Sequence, residues 1–454
     1  MKKTKDFQQL LDEDFILAPI IKLALPLTLT SFIQTFYNLV DTYWLGRLGT
    51  SELAAINLVT PIQHTIVAFG SGITVAGAIL LSQNIGAKKN KEANKIAGQI
   101  FIFALIFSLL SCLIILTFSS TILNWMGCGS DIFAYSQTYL SLVLLGIPFL
   151  YTINIYTSIN QSQGESVHPM LLNLIGTVLN IFLDPLLIMV LHLGVFGAGL
   201  ATLFSKGVIA LIALFLMLRS KKPVKLQVKY FRLEKETIKK ILHLGLPLSF
   251  GNATMQFGFM LLSKSVLSYG SVAMAAYGIG NKVNGLITLP VQGISSALST
   301  IVGLYVGKNN EEKIRKAYVV SQRICLAFLL VGGIILSRPV ISRAIVSIFT
   351  QDPRVIDMGS KLFSIMSLYS FTNAIHNTTK AVFNGEGKTT LSVVTDLLRI
   401  WIFRFSFIYV LSTFFAMGIN SIWYAIVISN GLAAFVSLVI YLLKFKNKPL
   451  KIHI

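Results

Sequence analysis

Long, nearly uncharged apolar stretches recur along the chain, at roughly 16–46, 53–84, 95–122, 132–158, 167–191, 195–219, 241–268, 272–305, 314–345, 356–382, 389–415 and 419–443. Each is long enough to cross a bilayer as a helix, which takes about 20 apolar residues. None alternates apolar and polar positions as the strands of a membrane barrel do. Hydrocarbon offers the backbone no hydrogen bonds, so a run without that alternation has to satisfy its own as a helix. The pattern predicts an all-α polytopic membrane protein with 12 transmembrane helices.

Composition agrees. Only 12% of the 454 residues are charged, against about 25% in a soluble chain, and mean hydropathy is +0.73. The net charge of +20 would fit a nucleic-acid binder if it formed a continuous face, but it is dispersed among short connections. Lys88, Lys89, Lys91 and Lys95, the stretch from Arg219 to Lys240, Lys308, Lys313, Arg315 and Lys316, and Lys444 to Lys451 carry most of it, with Lys2, Lys3 and Lys5. This is the positive-inside distribution. It excludes a nucleic-acid partner, predicts that both termini are cytoplasmic, and adds a modest attraction to anionic lipid. Arg338, Arg343, Arg354 and Lys361 fall on the other side but are outnumbered. The acids Asp12, Glu13 and Asp14 and the long run behind them are unlike a cleaved signal peptide. Cys112, Cys128 and Cys325 show no metal-ligand spacing and read as apolar filler.

The chain repeats itself. LALPLTLTSFIQ from Leu23 matches LGLPLSFGNATM from Leu244, and at the same offset Gly49, Gly72 and Gly86 fall on Gly270, Gly293 and Gly307. SQGES at 162–166 likewise pairs with GEGKT at 385–389. Six spans per repeat is an even number, so the halves share one orientation and are related by an axis along the membrane normal. The expected division is 1–220 for the first six-helix lobe, 221–239 for a cytoplasmic linker and 240–454 for the second lobe. Two-lobed helical membrane proteins of this kind characteristically move a solute between the lobes.

Polar residues inside the spans follow helical spacing. Thr30, Gln34, Tyr37, Asn38 and Asp41 share one face of span 1; Asn173, Thr177, Asn180 and Asp184 share one of span 5; Tyr151, Asn154, Ser158 and Gln161 share one of span 4. Such groups facing lipid would be unsatisfied, so they face a cavity or one another. An ionised Asp costs about 2.5–3.5 kcal/mol at mid-bilayer on insertion scales, which makes Asp41 and Asp184 expensive as mere packing. Pro185 removes an N–H and frees the Ile181 carbonyl. An oxygen-rich corner of this composition suits a small hard cation, or a proton shared by two carboxylates.

The second half lacks these acids. It carries Asn252 and Gln256 in span 7, Asn373, Asn377 and Lys380 on one face of span 10, and the cations Lys264, Lys282, Arg399 and Arg404, with Asp396 placed to pair with Arg399. GEGKTT at 385–390 superficially resembles a phosphate loop, but no strand precedes it. Its repeat partner makes it a helix-connecting turn. No nucleophile elbow, paired metal-binding histidines or acidic diphosphate motif occurs, so an enzyme is not expected.

Together LPLTLTSFIQTFYNLVDTYWLGRLG, LSQNIGAKKNKEA, LNLIGTVLNIFLDPLLI and GVFGAGLAT resemble the multidrug and toxic compound extrusion (MATE) transporters, over about residues 16 to 443. The resemblance implies a V of two six-helix lobes around a central cavity. It implies a monomer in the cell (inner) membrane that exports drugs or other small organic, often cationic, compounds in exchange for Na⁺ or H⁺, with no other cofactor. It places the coupling site, or the metal site if the ion is Na⁺, at Asp41, Asn180, Asp184 and Thr202, bordered by Tyr139. The substrate cavity would draw on Gln34, Tyr37, Asn38, Tyr151, Asn154, Asn173, Asn252, Gln256, Asn373 and Asn377. Another branch of the family carries sodium-binding acids in spans 7 and 10, where this chain has amides. Flippases for lipid-linked precursors share the architecture, and Lys264, Arg399 and Arg404 would suit the cationic cavity such a function needs.

Overall fold

The computed structural model describes residues 7–13, 16–45 and 47–445; the terminal lysines invoked for orientation (Lys2, Lys3, Lys5, Lys446, Lys448 and Lys451) and Asp14 lie outside them. The described residues contain helices and no strand. A short α1 (Phe7–Asp12) precedes α2 (Leu17–Leu45), α3 (Thr50–Gly86) and α4 (Asn90–Thr117). After α5 (Ser119–Trp125) come α6 (Ser130–Leu145), α7 (Ile147–Ser162), α8 (Val167–Pro185) and α9 (Gly194–Leu218). The second half holds α10 (Lys235–Leu267), α11 (Ser271–Gly307), α12 (Glu311–Leu336), α13 (Pro339–Ser347) and α14 (Pro353–Leu368). It ends with α15 (Phe371–Gly385), α16 (Thr389–Leu397), α17 (Phe405–Thr413) and α18 (Asn420–Phe445).

These make 12 passes. Helices α6 and α7 form one pass stepped at Gly146, and α14 and α15 form another stepped at Tyr369–Ser370. Among the described residues nine stretches are long and apolar enough to cross a membrane by composition alone. The other three passes, α10, α14–α15 and α16–α17, are the ones loaded with amides, lysines and arginines. The excursions outside the spans are themselves helical: α5 and α13 are short, and α13 begins with Pro339 at its first turn, where a missing N–H costs nothing.

The repeat predicted from the sequence is visible at backbone level. Gly164 and Gly387 both take φ near +80° in the turns after α7 and α15 (+82° and +78°), and Lys88 and Asn309 are both left-handed after α3 and α11. The turn N–H groups bond back to the same relative carbonyls, Glu165 to Asn160 (3.0 Å) and Lys388 to Phe383 (2.8 Å). GEGKTT is therefore a helix-closing turn, with glycine where a side chain would be strained.

The chain divides into two compact units, Leu29–Ser249, and Met1–Thr28 with Phe250–Ile454. Both boundaries fall inside a helix, two residues after Pro26 in α2 and two after Pro247 in α10. Each unit thus takes the first segment of the other repeat's opening helix. In the Leu29–Ser249 unit a Cβ on Gly72 would strike the Gly245 carbonyl and Ser249 Oγ, and Ser249 Oγ donates to the Phe69 carbonyl (2.5 Å). In the other unit a Cβ on Gly293 would strike Thr28 Oγ1 and the Ala24 carbonyl. Gly72 and Gly293 are repeat equivalents, and each exists so that an incoming helix can lie directly on the backbone.

Candidate functional site

Within the Leu29–Ser249 unit, α2, α6, α8 and α9 bring the predicted coupling residues together. Asp184 is 0% exposed and Asn180 2%, with Thr202, Ser205 and Tyr139 also buried. Asp41 and Asp184 lie within electrostatic reach of each other and of both Tyr37 and Tyr139. The Tyr37 hydroxyl faces the Thr202 side chain. Asn180 Nδ2 points at Ser205 Oγ (3.5 Å), whose own proton goes to the Thr202 carbonyl (3.1 Å).

Three oxygens remain without a hydrogen-bond partner: both carboxylate oxygens of Asp184 and Oδ1 of Asn180. Buried acceptors are ordinarily satisfied, because desolvating them unpaired costs about 1–3 kcal/mol, and more when charged. A cluster of orphaned oxygens is what a proton or a bare monovalent cation would complete. Among the described residues no group of three or more His, Cys, Asp or Glu side chains could hold a metal. The donor set here is two carboxylates with neutral oxygens, which suits Na⁺ rather than a transition ion. Beyond Asp184 the proline has a visible effect: α8 gives way to a π turn over Leu186–Val190, a wider winding that absorbs the N–H lost at Pro185.

Beside these residues is a cavity of about 120 Å³ lined by Gln34, Tyr37, Asn154, Asn173, Thr177, Asn180, Ser205 and Lys206 among others. Four of the first-half residues expected to line a substrate cavity are there: Gln34, Tyr37, Asn154 and Asn173. Asn38 does not line it, and Tyr151 is elsewhere. Tyr151 is 1% exposed and donates to the Ile66 carbonyl (2.8 Å), flat against Gly70, where no Cβ would fit. Ser158 of the stripe and Ser162 beyond it do the same work, donating Oγ protons to the Thr74 and Ala78 carbonyls of α3 (3.4 and 3.2 Å). The span 4 stripe is a packing seam between α3 and α7, with Asn154 alone turned to the cavity.

Sequence reasoning missed Lys206. It stands one turn after Thr202 on α9, lines the cavity, and is within electrostatic reach of Asp41. It was hidden in an apolar run, and only its spacing from Thr202 could have drawn attention to it.

In the second unit the polar residues are arranged differently. Asp396 is buried and fully engaged: His376 Nε2 (3.0 Å) and the Arg399 guanidinium Nη2 (3.1 Å) meet Oδ1, and the Lys380 ammonium meets Oδ2. His376 Nδ1 meets Ser437 Oγ (3.1 Å). The expected Asp396–Arg399 pair is present, while the parts of His376 and Lys380 in it were not foreseen. Buried Arg404 donates to Ser429 Oγ (3.0 Å) and Asn430 Oδ1 (2.9 Å). Asn373 lines a small recess of about 10 Å³ with Asn284 and Asn430; Asn252, Gln256 and Asn377 do not. Lys264 and Lys282 lie on exposed helix faces.

A 12-pass helical protein with an internal repeat and a buried, under-satisfied polar site in one half is built as a membrane transporter rather than an enzyme. The chain belongs to the MatE family, whose model matches residues 26–186 and 247–410. It is 26% identical over 408 residues to the probable multidrug resistance protein YoeA of Bacillus subtilis, covering 88% of this chain and 87% of that one. It is 26% identical over 424 residues to the probable multidrug resistance protein NorM of Thermotoga maritima, covering 89% and 87%. Among solved structures, an outward-facing multidrug resistance MATE transporter of the MOP superfamily matches with a TM-score of 0.91 at 25% identity, covering 98% of this chain and 99% of that one.

Proposed function

We propose that the protein is a Na⁺- or H⁺-coupled antiporter that exports drugs or other small organic compounds by alternating access, as a monomer in the cell membrane with both termini cytoplasmic. The observation that carries this reading is Asp184: wholly buried, both oxygens unpartnered, with a second carboxylate in electrostatic reach. Two carboxylates sharing a dry site cannot both be ionised cheaply, so the site holds a proton or a cation. Either one changes the charge of the helix face next to the cavity, which is the differential interaction that linkage needs. Asn180 and Thr202 supply neutral oxygens, and Tyr37 and Tyr139 close the site. In the alternating-access cycle, cation and substrate weaken each other by the same factor. The arginines that would favour a lipid-linked precursor flippase are engaged within their own unit by Asp396, Ser429 and Asn430, which favours the drug exporter.

The test is ethidium efflux from proteoliposomes with sodium and proton gradients imposed separately. One gradient should drive uphill transport in the wild type and neither in Asp41→Asn or Asp184→Asn. Uphill export at the wild-type rate by either variant refutes the coupling site.

A further inference from the structure

At one end of the Leu29–Ser249 unit a cavity of about 460 Å³ opens between the last turns of α7 and α9 and the segment after α9. Its wall is apolar, with Ile159, Met217 and Val224 all buried. Its rim carries Arg219, Lys221, Lys222 and Lys225, with His168 from α8 also lining it.

Basic residues flanking a membrane helix are usually loose, and loose charge sets orientation without making a site. This segment is fastened. Asn94 of α4 donates to the Pro223 carbonyl (3.1 Å) and accepts from the Lys225 N–H (2.8 Å). Gln163, at the end of α7, accepts from the Val224 N–H (3.2 Å) and donates to the Val224 carbonyl (3.0 Å). Two amide side chains thus clamp residues 223–225, Val224 is pressed inward, and Lys222 Nζ is drawn onto Asn160 Oδ1 (2.9 Å). The result is a fixed segment that carries four cations, with Lys222 held by its own side chain and Arg219 laid over the Phe215 ring (4.8 Å).

One carboxylate faces them. Glu165 accepts from the Val167 N–H (2.9 Å), and its other oxygen lies 3.3 Å from His168 Nδ1. Burial would raise its pKa, but His168, the Val167 N–H and Lys222 hold it below the usual range, so it stays ionised. That single charge does not compensate the four cations: burial keeps the Lys222 ammonium below the ordinary lysine range, and Glu165 offsets this only in part. The cavity therefore has surplus positive charge in a partly desolvated setting. Its apolar wall runs into Leu216, which is 42% exposed, and on to Phe215 and Leu211 along the outer face of α9. A soluble phosphate would leave that wall unused, whereas a lipid uses both parts.

We propose that this cavity binds the phosphodiester headgroup of an anionic phospholipid, with Arg219, Lys221, Lys222 and Lys225 around the phosphate and the glycerol backbone against Ile159, Met217 and Leu216. Juxtamembrane basic residues attract such headgroups with a strength equivalent to about fivefold in affinity each. The proposal is independent of the transported substrate and of the coupling ion.

The experiment titrates the full-length protein with phosphatidylglycerol, with phosphatidylcholine as reference, and counts bound lipids by native mass spectrometry. Wild type should retain one phosphatidylglycerol selectively. Lys222→Gln/Lys225→Gln should bind it roughly 25-fold more weakly, while Lys88→Gln/Lys91→Gln, which removes the same charge from another basic turn, should leave it unchanged. Arg219→Gln/Lys221→Gln, which touches none of the clamping bonds, should weaken it similarly with an unaltered thermal midpoint in phosphatidylcholine, separating ligand loss from misfolding. Equal weakening in the Lys88/Lys91 control, no preference over phosphatidylcholine, or displacement of the lipid by millimolar inorganic phosphate would each overturn the proposal.

Discussion

Asp184 and Asp396 each stand just before a π turn, one in each unit, yet their surroundings are opposite. Asp396 has a histidine, a lysine and an arginine on its two oxygens; Asp184 has no hydrogen-bond partner on either. Their depths differ as well: Asp396 comes in the third turn of α16 and Asp184 in the fifth of α8. They are therefore separate inventions on a common frame and not repeat equivalents. A carboxylate saturated by two cations and a histidine has nothing left to bind, so its work is structural. A bare buried carboxylate is unstable as an ion until something arrives, which is the property a coupling site requires. Where the halves match, at Gly72 and Gly293 or at the two left-handed turns, the residues build the frame. The departures from symmetry locate the chemistry.

Substitution of the two acids should break the comparison most visibly. Removing one member of a buried ion cluster strands the rest, at roughly 3–5 kcal/mol. Asp396→Asn, which leaves Lys380 and Arg399 without their anion, should therefore lower the thermal midpoint in detergent sharply. Asp184→Asn should leave that midpoint unchanged or raised while coupled efflux disappears. Equal destabilisation by both would show that Asp184 is structural too.

The next largest effect tests the symmetric part. Gly72→Val and Gly293→Val should each destabilise by about 1–3 kcal/mol through overpacking, and by similar amounts, because each lays a side chain on the same kind of helix backbone. A large cost at one glycine and none at the other, read from denaturation midpoints, would deny the frame its symmetry.

A smaller effect is expected at Lys206. Its ammonium competes with any incoming cation for Asp41, and a partly screened charge of this kind is worth about 1–2 kcal/mol. In a sodium-driven wild type, Lys206→Met should lower the sodium concentration for half-maximal efflux by roughly fivefold to thirtyfold. An unchanged sodium dependence would remove Lys206 from the site.

Much of this was legible in the sequence, for stated reasons. Apolar runs must become helices in lipid, so the 12 passes could be read, as could the repeat that relates Gly72 to Gly293. Spacing put Asp41 on one polar stripe and Asn180 with Asp184 on another, and the structure brings the two stripes within electrostatic reach, with Asn180 lining the cavity. The same spacing misled at Tyr151, because a helical stripe shows which residues share a face but not whether that face meets a cavity or the neighbouring α3. Lys206 and His376 were missed because their meaning lies in partners on other helices: Asp41 on α2 for one, Asp396 on α16 for the other. The basic segment 221–239 was read as a cytoplasmic linker, and the amide clamps of Asn94 and Gln163, with the Lys95–Glu234 ion pair, reveal that it is docked.

The exchange of opening segments at Pro26 and Pro247 has a consequence for biosynthesis. The unit Leu29–Ser249 lacks its last helix segment until residue 249 has been made, and residues before Leu29 belong to a unit whose remaining residues begin at Phe250. At about 5–20 residues per second, the amino-terminal segment waits some tens of seconds in the nascent chain for its destination. A gene cut between codons 220 and 221 would thus yield two products that are each incomplete, since 1–220 has no Ser249 to cover Gly72 and 221–454 has no Thr28 to cover Gly293. Expressed singly, both should be cleared by quality-control proteolysis; expressed together, they should rescue one another and co-purify.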